Sequence, residues 1–152
     1  MKILIADDHD LLRDTLVTFL EREGSIEIAT ASDLDGALNK IETETLFDLV
    51  ILDFSMPGMS GITGLKKALT HAGQQRVALM SGIATRSVAE EALSIGAAGF
   101  IPKTLSAKSF VNAVRFMAMG EQYAPIDFMT AEDETTAPNP LAEKLSRREL
   151  QV

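Results

Sequence analysis

The sequence LVILDFSMPGMSG occupies residues 49–61 and decides the fold class of this chain. It opens with four consecutive apolar residues, which is typical of a strand buried on both faces of a parallel sheet. Asp53 follows directly, and the segment after it contains Pro57, Gly58 and Gly61, the composition of a loop. This stretch therefore predicts a buried strand that ends at an acidic residue.

Short apolar runs of this kind recur along the chain and alternate with segments of helical periodicity. The first helical segment carries apolar side chains, Leu11 and Leu12 among them, at helical spacing, and Asp33 and Ser106 are placed to cap later helices. Such alternation predicts βαβ units and a doubly wound, five-stranded parallel sheet with helices on both faces. We expect strands at 3–6, 26–30, 49–52, 77–80 and 98–101, and helices at about 11–20, 34–41, 65–71, 87–95 and 106–117.

Composition excludes several classes of protein. The 152 residues carry a formal net charge of −8 and include no cysteine, which excludes a disulfide scaffold and a thiolate zinc module. The acidic balance argues against nucleic-acid binding by the bulk of the chain. No apolar run approaches the ~18–20 residues of a membrane span, and the first apolar run is too short for a signal peptide. We therefore expect a cytoplasmic protein with no membrane partner.

Side chains that can bind ligands or take part in a reaction follow four of the predicted strands. Asp7 and Asp8 follow the first strand, Asp53 the third, Ser81 the fourth and Lys103 the fifth. In a doubly wound parallel sheet the carboxyl ends of the strands meet at one rim, where ligands bind. Each residue has an ordinary alternative role, in a helix cap, a turn or a solvated surface. Their coincidence at four strand ends favours a common site.

The chemistry of these residue types points to phosphoryl transfer. Three converging carboxylates repel one another, and a divalent cation removes that conflict; an all-oxygen site suits Mg²⁺. Asp53, placed near a cation and Lys103, is a reasonable phosphoryl acceptor because carboxylates form acyl phosphates. A hydroxyl at Ser81 would then hydrogen-bond the phosphoryl group, and the cation and ammonium would neutralise its oxygens.

This arrangement resembles the receiver domain of two-component response regulators over about residues 1–120. Four motifs carry the resemblance, in the same order and on the same elements. They are Asp7-Asp8-His9, the segment 52–61, Met80-Ser81-Gly82 and the segment 96–103, GAAGFIPK.

The resemblance implies a flavodoxin-like strand order of 2-1-3-4-5 and a phosphoacceptor that is not an enzyme, although it supports its own phosphotransfer and dephosphorylation. A sensor histidine kinase would supply the phosphoryl group. Phosphorylation would draw Ser81 toward the new group, and Phe100 would turn inward into the vacated space. The site residues implied are Asp53 as phosphoacceptor, Asp7, Asp8, Asp53 and the Ser55 backbone carbonyl for Mg²⁺, and Ser81, Lys103 and Phe100 for phosphoryl binding and switching.

The composition changes after Tyr123, which predicts three regions: a receiver at 1–122, a linker at 123–142, and the start of a truncated output domain at 143–152. Leu145–Leu150 has capping-box spacing and resembles the opening of a LuxR-type helix-turn-helix. We therefore expect a transcription regulator that contacts DNA only through a domain missing beyond Val152. A stand-alone receiver acting through protein contacts is the alternative.

Two enzyme or cofactor classes compete with this interpretation. An FMN-binding flavodoxin shares the sheet order but needs a phosphate loop where this chain has Asp7-Asp8-His9. A phosphatase that uses an aspartyl phosphate would want a second acid at the position of Ser55.

The last predicted helix offers a separate surface. Phe116 and Met119 are expected to lie off its inward stripe, with Met117 near the edge, which would suit a homodimer or a docked output domain. Ordinary scattered surface apolar groups are the alternative.

Overall fold

The computed structural model describes residues 1–44, 46–82 and 86–124. In these residues five strands and five helices alternate, and all strands are parallel in the order β2-β1-β3-β4-β5. The predicted fold class and strand order are therefore confirmed. The elements are β1 (Lys2–Ala6), α1 (Asp10–Glu21), β2 (Glu27–Ala31), α2 (Leu34–Thr43), β3 (Leu49–Asp53), α3 (Ile62–Ala72), β4 (Val77–Ser81), α4 (Arg86–Ser94), β5 (Gly99–Pro102) and α5 (Ala107–Ala118).

The core lies in two layers, one on each face of the sheet. Side chains alternate along each strand, so Leu4 and Val50 enter one layer while Ile3 and Ile51 enter the other. Helices α2, α3 and α4 contribute to the first layer, and α1 and α5 to the second. This two-sided cover explains why β1, β3 and β4 are apolar almost throughout.

Both predicted caps form. The Asp33 side chain accepts a hydrogen bond from the Gly36 N–H at 2.7 Å, and Ser106 accepts from the Ser109 N–H at 3.2 Å. Each cap satisfies a backbone donor in the first turn of its helix and so fixes where α2 and α5 begin.

The predicted loop between β3 and α3 is shorter than expected, because α3 already begins at Ile62 rather than Leu65. Gly64 therefore lies inside the helix. A Cβ atom there would stand 2.3 Å from the Met59 carbonyl oxygen. This glycine allows a close approach between helix and loop, and it does not mark a flexible segment.

The chain returns to the sheet after α5. The Tyr123 N–H donates to the Ala98 carbonyl at 2.9 Å, and the Phe100 N–H donates to the Tyr123 carbonyl at 3.1 Å. Gly99 lies opposite, where a Cβ would come within 2.9 Å of Tyr123. Tyr123, the first residue of the predicted linker, thus pairs with β5. The rest of that linker from residue 125 and the predicted output segment 143–152 lie outside the described residues.

The apolar surface differs in part from expectation. Phe116 and Met119 are 42% and 74% exposed, as predicted, and Met117, which counts among the inward residues near the edge of the stripe, is fully buried and points between α5 and β5. Leu11 is 82% exposed, although it is one of the apolar residues at helical spacing in this segment; it lies in the first turn of α1. Among the described residues, no helix has both the length and the apolar character to cross a bilayer.

Candidate functional site

Asp7 and Asp53 lie side by side at the carboxyl ends of neighbouring strands. Ala6 of β1 pairs with Leu52 of β3, which places the two aspartates in adjacent positions one residue further on. Both are buried, at 0% and 1% exposure, whereas Asp8 is exposed. Burial of two like charges at one point is costly, so their surroundings decide what the site can do.

Asp7 is held through both its backbone and its side chain. Its N–H donates to the Ala31 carbonyl at 3.0 Å, and its carbonyl accepts from Arg13 Nη1 at 2.9 Å. Its Oδ1 accepts from the His9 N–H at 2.9 Å. His9 occupies the N-cap position of α1 and makes no side-chain cap hydrogen bond. Neither Asp7 nor Asp8 is therefore the N-cap residue of this helix.

Lys103 joins the two buried carboxylates. Its Nζ lies 3.2 Å from Asp53 Oδ1 and 3.3 Å from Asp7 Oδ2, and its side chain is only 15% exposed. The Lys103 N–H donates to the Ser81 carbonyl at 3.0 Å, which anchors the residue just beyond β5. The solvated lysine that was weighed as an alternative is therefore excluded.

The surroundings of the Asp53 carboxyl disfavour its charged form. Burial, and then the charge of Asp7, raise its pKa above the ordinary value; the Ser55 N–H, which donates to Oδ1 at 3.3 Å, and Lys103 act in the opposite direction. One lysine does not offset three carboxylates. The cluster therefore carries an excess of negative charge that a further cation would relieve.

Two carboxylate oxygens in this cluster lack a hydrogen-bond partner. They are Asp7 Oδ2 and Asp53 Oδ2, both buried, although the former contacts the Lys103 ammonium. Buried oxygens without hydrogen bonds are rare and ask for an explanation such as an ion. Together with Asp8 they offer hard oxygen ligands that suit Mg²⁺. The residues present thus fit the ion that the sequence predicted.

His9 is also part of this cluster, which sequence reasoning treated only as part of a motif. Its Nδ1 lies 3.0 Å from Asp7 Oδ1, 3.4 Å from Asp8 Oδ1 and 3.8 Å from Asp53 Oδ2. The sequence feature that could have predicted this is the position of His9 directly after Asp8, at the start of α1, where the chain turns away from the end of β1.

The loop after Asp53 is fixed against α2. The Pro57 carbonyl accepts from the Leu34 N–H at 3.0 Å, and Met56 and Met59 are buried. Gly58 has φ +93° and lies so close to Leu34 that a Cβ would stand 3.0 Å from it. This anchoring holds Ser55, the residue expected to offer its carbonyl to a metal, at the rim beside Asp53.

Ser81 and Phe100 occupy the neighbouring strands. Ser81 is 3% exposed and follows Met80, the residue paired with Asp53. Phe100 is 2% exposed and belongs to the core layer under α4. The sequence-based expectation was that Phe100 turns inward on phosphorylation. In this structure the ring is already inward, so any switch at this residue starts from a buried side chain.

The family model of the response regulator receiver domain matches residues 3–115. The chain belongs to the response regulator receiver family. Its five-stranded parallel sheet and the acidic rim just described are therefore those of a receiver. Within the matched range lie every carboxylate of the cluster, His9 and Lys103.

This receiver is similar to full-length regulators and to solved structures. It is 34% identical over 140 residues to the glycerol metabolism activator of Pseudomonas putida, covering 91% of this chain and 63% of that protein. It is 32% identical to the virulence-factor transcription regulator BvgA of Bordetella pertussis, covering 99% of this chain and 73% of that protein. A LuxR family DNA-binding response regulator from Silicibacter pomeroyi superposes with a TM-score of 0.74 at 30% identity, covering 84% of this receiver and 99% of that chain.

These relatives place the receiver among LuxR-type response regulators with transcription-regulator homologues. The chain spans less than two thirds of the length of the glycerol metabolism activator.

Proposed function

We propose that Asp53 accepts a phosphoryl group from a sensor histidine kinase, supported by Mg²⁺ at Asp7, Asp8, Asp53 and the Ser55 carbonyl. The observation that carries this proposal is the pair of buried carboxylates whose Oδ2 atoms lack hydrogen bonds, with Lys103 beside them. Such a group of acceptors has little structural use, because replacing it with apolar residues would cost less. Binding of a phosphoryl group and a cation would explain why these polar groups are buried together.

The transfer is a nucleophilic substitution at phosphorus. A carboxylate oxygen of Asp53 forms the new P–O bond while the P–N bond of the kinase phosphohistidine breaks. The donor imidazole keeps the electron pair and takes a proton from water. Lys103, 3.2 Å from Asp53 Oδ1, is placed to pair with the phosphoryl oxygens. Bound Mg²⁺ supplies charge neutralisation during the transfer.

The acceptor then biases a conformational equilibrium. Ser81 and Lys103 form new hydrogen bonds with the phosphoryl group, which carries nearly two negative charges. A change from 1:99 to 99:1 needs about 5.5 kcal/mol of differential stabilisation, and charge-assisted hydrogen bonds supply about 1.5–3 kcal/mol each. The face formed by α4, β5 and α5 would then change, because Phe100 of β5 packs in the core layer under α4.

The proposed architecture is a receiver at 1–122, a linker at 123–142 and the beginning of a helix-turn-helix output domain at 143–152. Support comes from BvgA, a transcription regulator, and from the LuxR family DNA-binding regulator of Silicibacter pomeroyi. The receiver would therefore control transcription through DNA contacts made by the output domain alone. The protein acts as a phosphoacceptor and not as a turnover enzyme. A stand-alone receiver is the second form that the proposal admits.

Labelling with acetyl phosphate and Mg²⁺ tests the acceptor. We expect intact-mass analysis to show one phosphoryl group on the wild type and none on Asp53→Asn. Asp35→Asn is the matched control, since Asp35 is an exposed aspartate on α2. Labelling of Asp53→Asn at the wild-type level would overturn the proposal. Multiple turnover of a phosphomonoester would instead favour a phosphatase.

A further inference from the structure

His9 brings an imidazole nitrogen into the same cluster as three carboxylates. One ligand atom from each of Asp7, Asp8, His9 and Asp53 lies within 4.8 Å of all the others. The Nδ1 atom is 3.0 Å from Asp7 Oδ1 and 3.4 Å from Asp8 Oδ1. Neighbouring ligands around an octahedral ion with bonds of about 2.1 Å lie about 3 Å apart, so these separations suit a shared ion.

The contacts of His9 Nδ1 conflict with one another. Lys103 Nζ lies 3.3 Å away and can only donate, which requires a lone pair on Nδ1. The Asp7 carboxylate at 3.0 Å can only accept, which requires a proton on the same nitrogen. One tautomer cannot serve both. A metal ion between Nδ1 and the Asp7 carboxylate resolves their contact, because both atoms then offer lone pairs to the ion. Nδ1 then accepts nothing from Lys103, whose ammonium keeps its contacts with Asp7 Oδ2 and Asp53 Oδ1.

A second, independent observation points to an ion at this place. Asp7 Oδ2 and Asp53 Oδ2 are buried and have no hydrogen-bond partner. Asp7 and Asp53 are 0% and 1% exposed, so bulk water does not serve these oxygens.

We propose that His9 is an additional side-chain ligand of the metal in this receiver, and that the site therefore favours a divalent transition ion over Mg²⁺. Imidazole suits ions such as Ni²⁺, Co²⁺ and Zn²⁺, whereas Mg²⁺ prefers oxygen and keeps its waters. This inference rests on the proposed metal function and adds the class of ion that the site selects. The three carboxylates still provide the oxygen ligands.

Calorimetric titration of the full chain with Ni²⁺ and with Mg²⁺ tests the inference in wild type and His9→Asn. Asparagine suits an N-cap position, so α1 should keep its start, and the His9 N–H bond to Asp7 involves the backbone alone. We expect His9→Asn to weaken Ni²⁺ binding about 10–100-fold, in line with losses when groups around a metal are removed. Mg²⁺ binding should change by less than about threefold, because its oxygen ligands remain.

The other histidine of the chain provides the matched control. His71 lies on α3 and contacts Glu42, away from the strand ends. His71→Asn should bind Ni²⁺ as the wild type does, and wild type loaded with Cu²⁺ should show a ¹⁴N coupling in pulsed electron resonance that His9→Asn loses.

Two other outcomes distinguish failure of the proposed His9 role from failure of the proposed metal site. Equal Ni²⁺ affinity in wild type and His9→Asn, with Mg²⁺ binding intact, would overturn the role of His9 alone. Absence of binding by either ion at the aspartates would overturn the proposed metal function as well.

Discussion

The ammonium of Lys103 lies 3.2 Å from Asp53 Oδ1 and 3.3 Å from Asp7 Oδ2, so a single lysine beyond β5 connects the acidic ends of β1 and β3. The three groups come from strands that are far apart in sequence. Their meeting depends on the sheet order, in which β3 lies between β1 and β4. The same lysine stabilises the fold and occupies the place where a phosphoryl group would arrive. Stability and the proposed function are therefore opposed at this point.

Asp53→Asn should stabilise the protein at pH 7 when divalent ions are absent. Burial and Asp7 raise the pKa of Asp53, so its protonated form is favoured in the folded state. The stabilisation that comes from holding this proton on Asp53 is complete below the ordinary aspartate pKa. It is lost as the pH rises through the raised pKa of the folded state. Asparagine escapes this loss. We expect a gain of about 1–3 kcal/mol in urea denaturation with EDTA present.

The gain should depend on pH. It should shrink as the pH is lowered from 7 to about 4, because the folded wild type then holds the proton on Asp53. Asp35→Asn controls for the loss of one acidic charge from an exposed site. An Asp53→Asn variant that is less stable than wild type at pH 7 would contradict this account of the site.

Lys103→Met should destabilise the protein and strengthen Mg²⁺ binding. Removing one partner of a buried ion pair costs about 3–5 kcal/mol, and the 15% exposure of the Lys103 side chain places the loss near the lower end. The vacated position leaves both carboxylates open to a divalent ion, so the Mg²⁺ dissociation constant should fall. Urea denaturation and calorimetry measure the two effects. Lys66→Met, at an exposed position of α3, should show neither, and unchanged Mg²⁺ affinity in Lys103→Met would argue against a shared cation position.

Gly64→Ala should destabilise the loop that follows Asp53. The new methyl group would meet the Met59 backbone at 2.3 Å from its carbonyl oxygen, and backbone cannot move aside cheaply. Overpacking of this kind costs about 1–3 kcal/mol. The displaced loop carries Ser55, so labelling by acetyl phosphate should also slow. Gly82→Ala is the control and should be close to neutral, because a Cβ there meets only Lys103, at ordinary contact distances of 3.8 Å from Cδ and 3.9 Å from Cβ.

Phe116→Glu tests whether α5 supports a homodimer. Phe116 on α5 and Met119 at the C-cap of that helix are 42% and 74% exposed, and exposed apolar groups of this size favour association. We expect sedimentation equilibrium of wild type treated with acetyl phosphate to show a higher average mass than Phe116→Glu. Leu46→Glu changes another exposed apolar residue, ahead of β3, and should behave as wild type. Identical masses for wild type and Phe116→Glu would assign these side chains to ordinary scattered surface.

The sequence predicted the parts of this molecule that depend on strand ends. Asp7, Asp53 and Lys103 were identified together because parallel strands bring their carboxyl ends to one rim, whatever the helices do. Asp33 and Ser106 were identified as caps because their bonding is local. Such features need only the order of the elements.

Features that depend on packing were not predictable in the same way. The place of His9 follows from the turn between β1 and α1, and the burial of Phe100 from the packing of α4 onto β5. Leu11 has helical spacing with the buried residues of α1, but it lies in the first turn of the helix and is exposed. Gly64 looked like a loop residue because sequence alone does not reveal that Met59 crosses so close to it.

The pairing of Tyr123 with β5 fixes the position at which the chain leaves α5 and the sheet. The carbonyl of Tyr123 is held by the N–H of Phe100, so the path beyond it departs from the margin of the sheet and not from the tip of α5. A displacement of β5 at Phe100 would move that point of departure with it, through the two hydrogen bonds that join Tyr123 to Ala98 and Phe100. In the proposed mechanism, a change at the phosphoacceptor that shifts β5 would therefore reach Tyr123 directly.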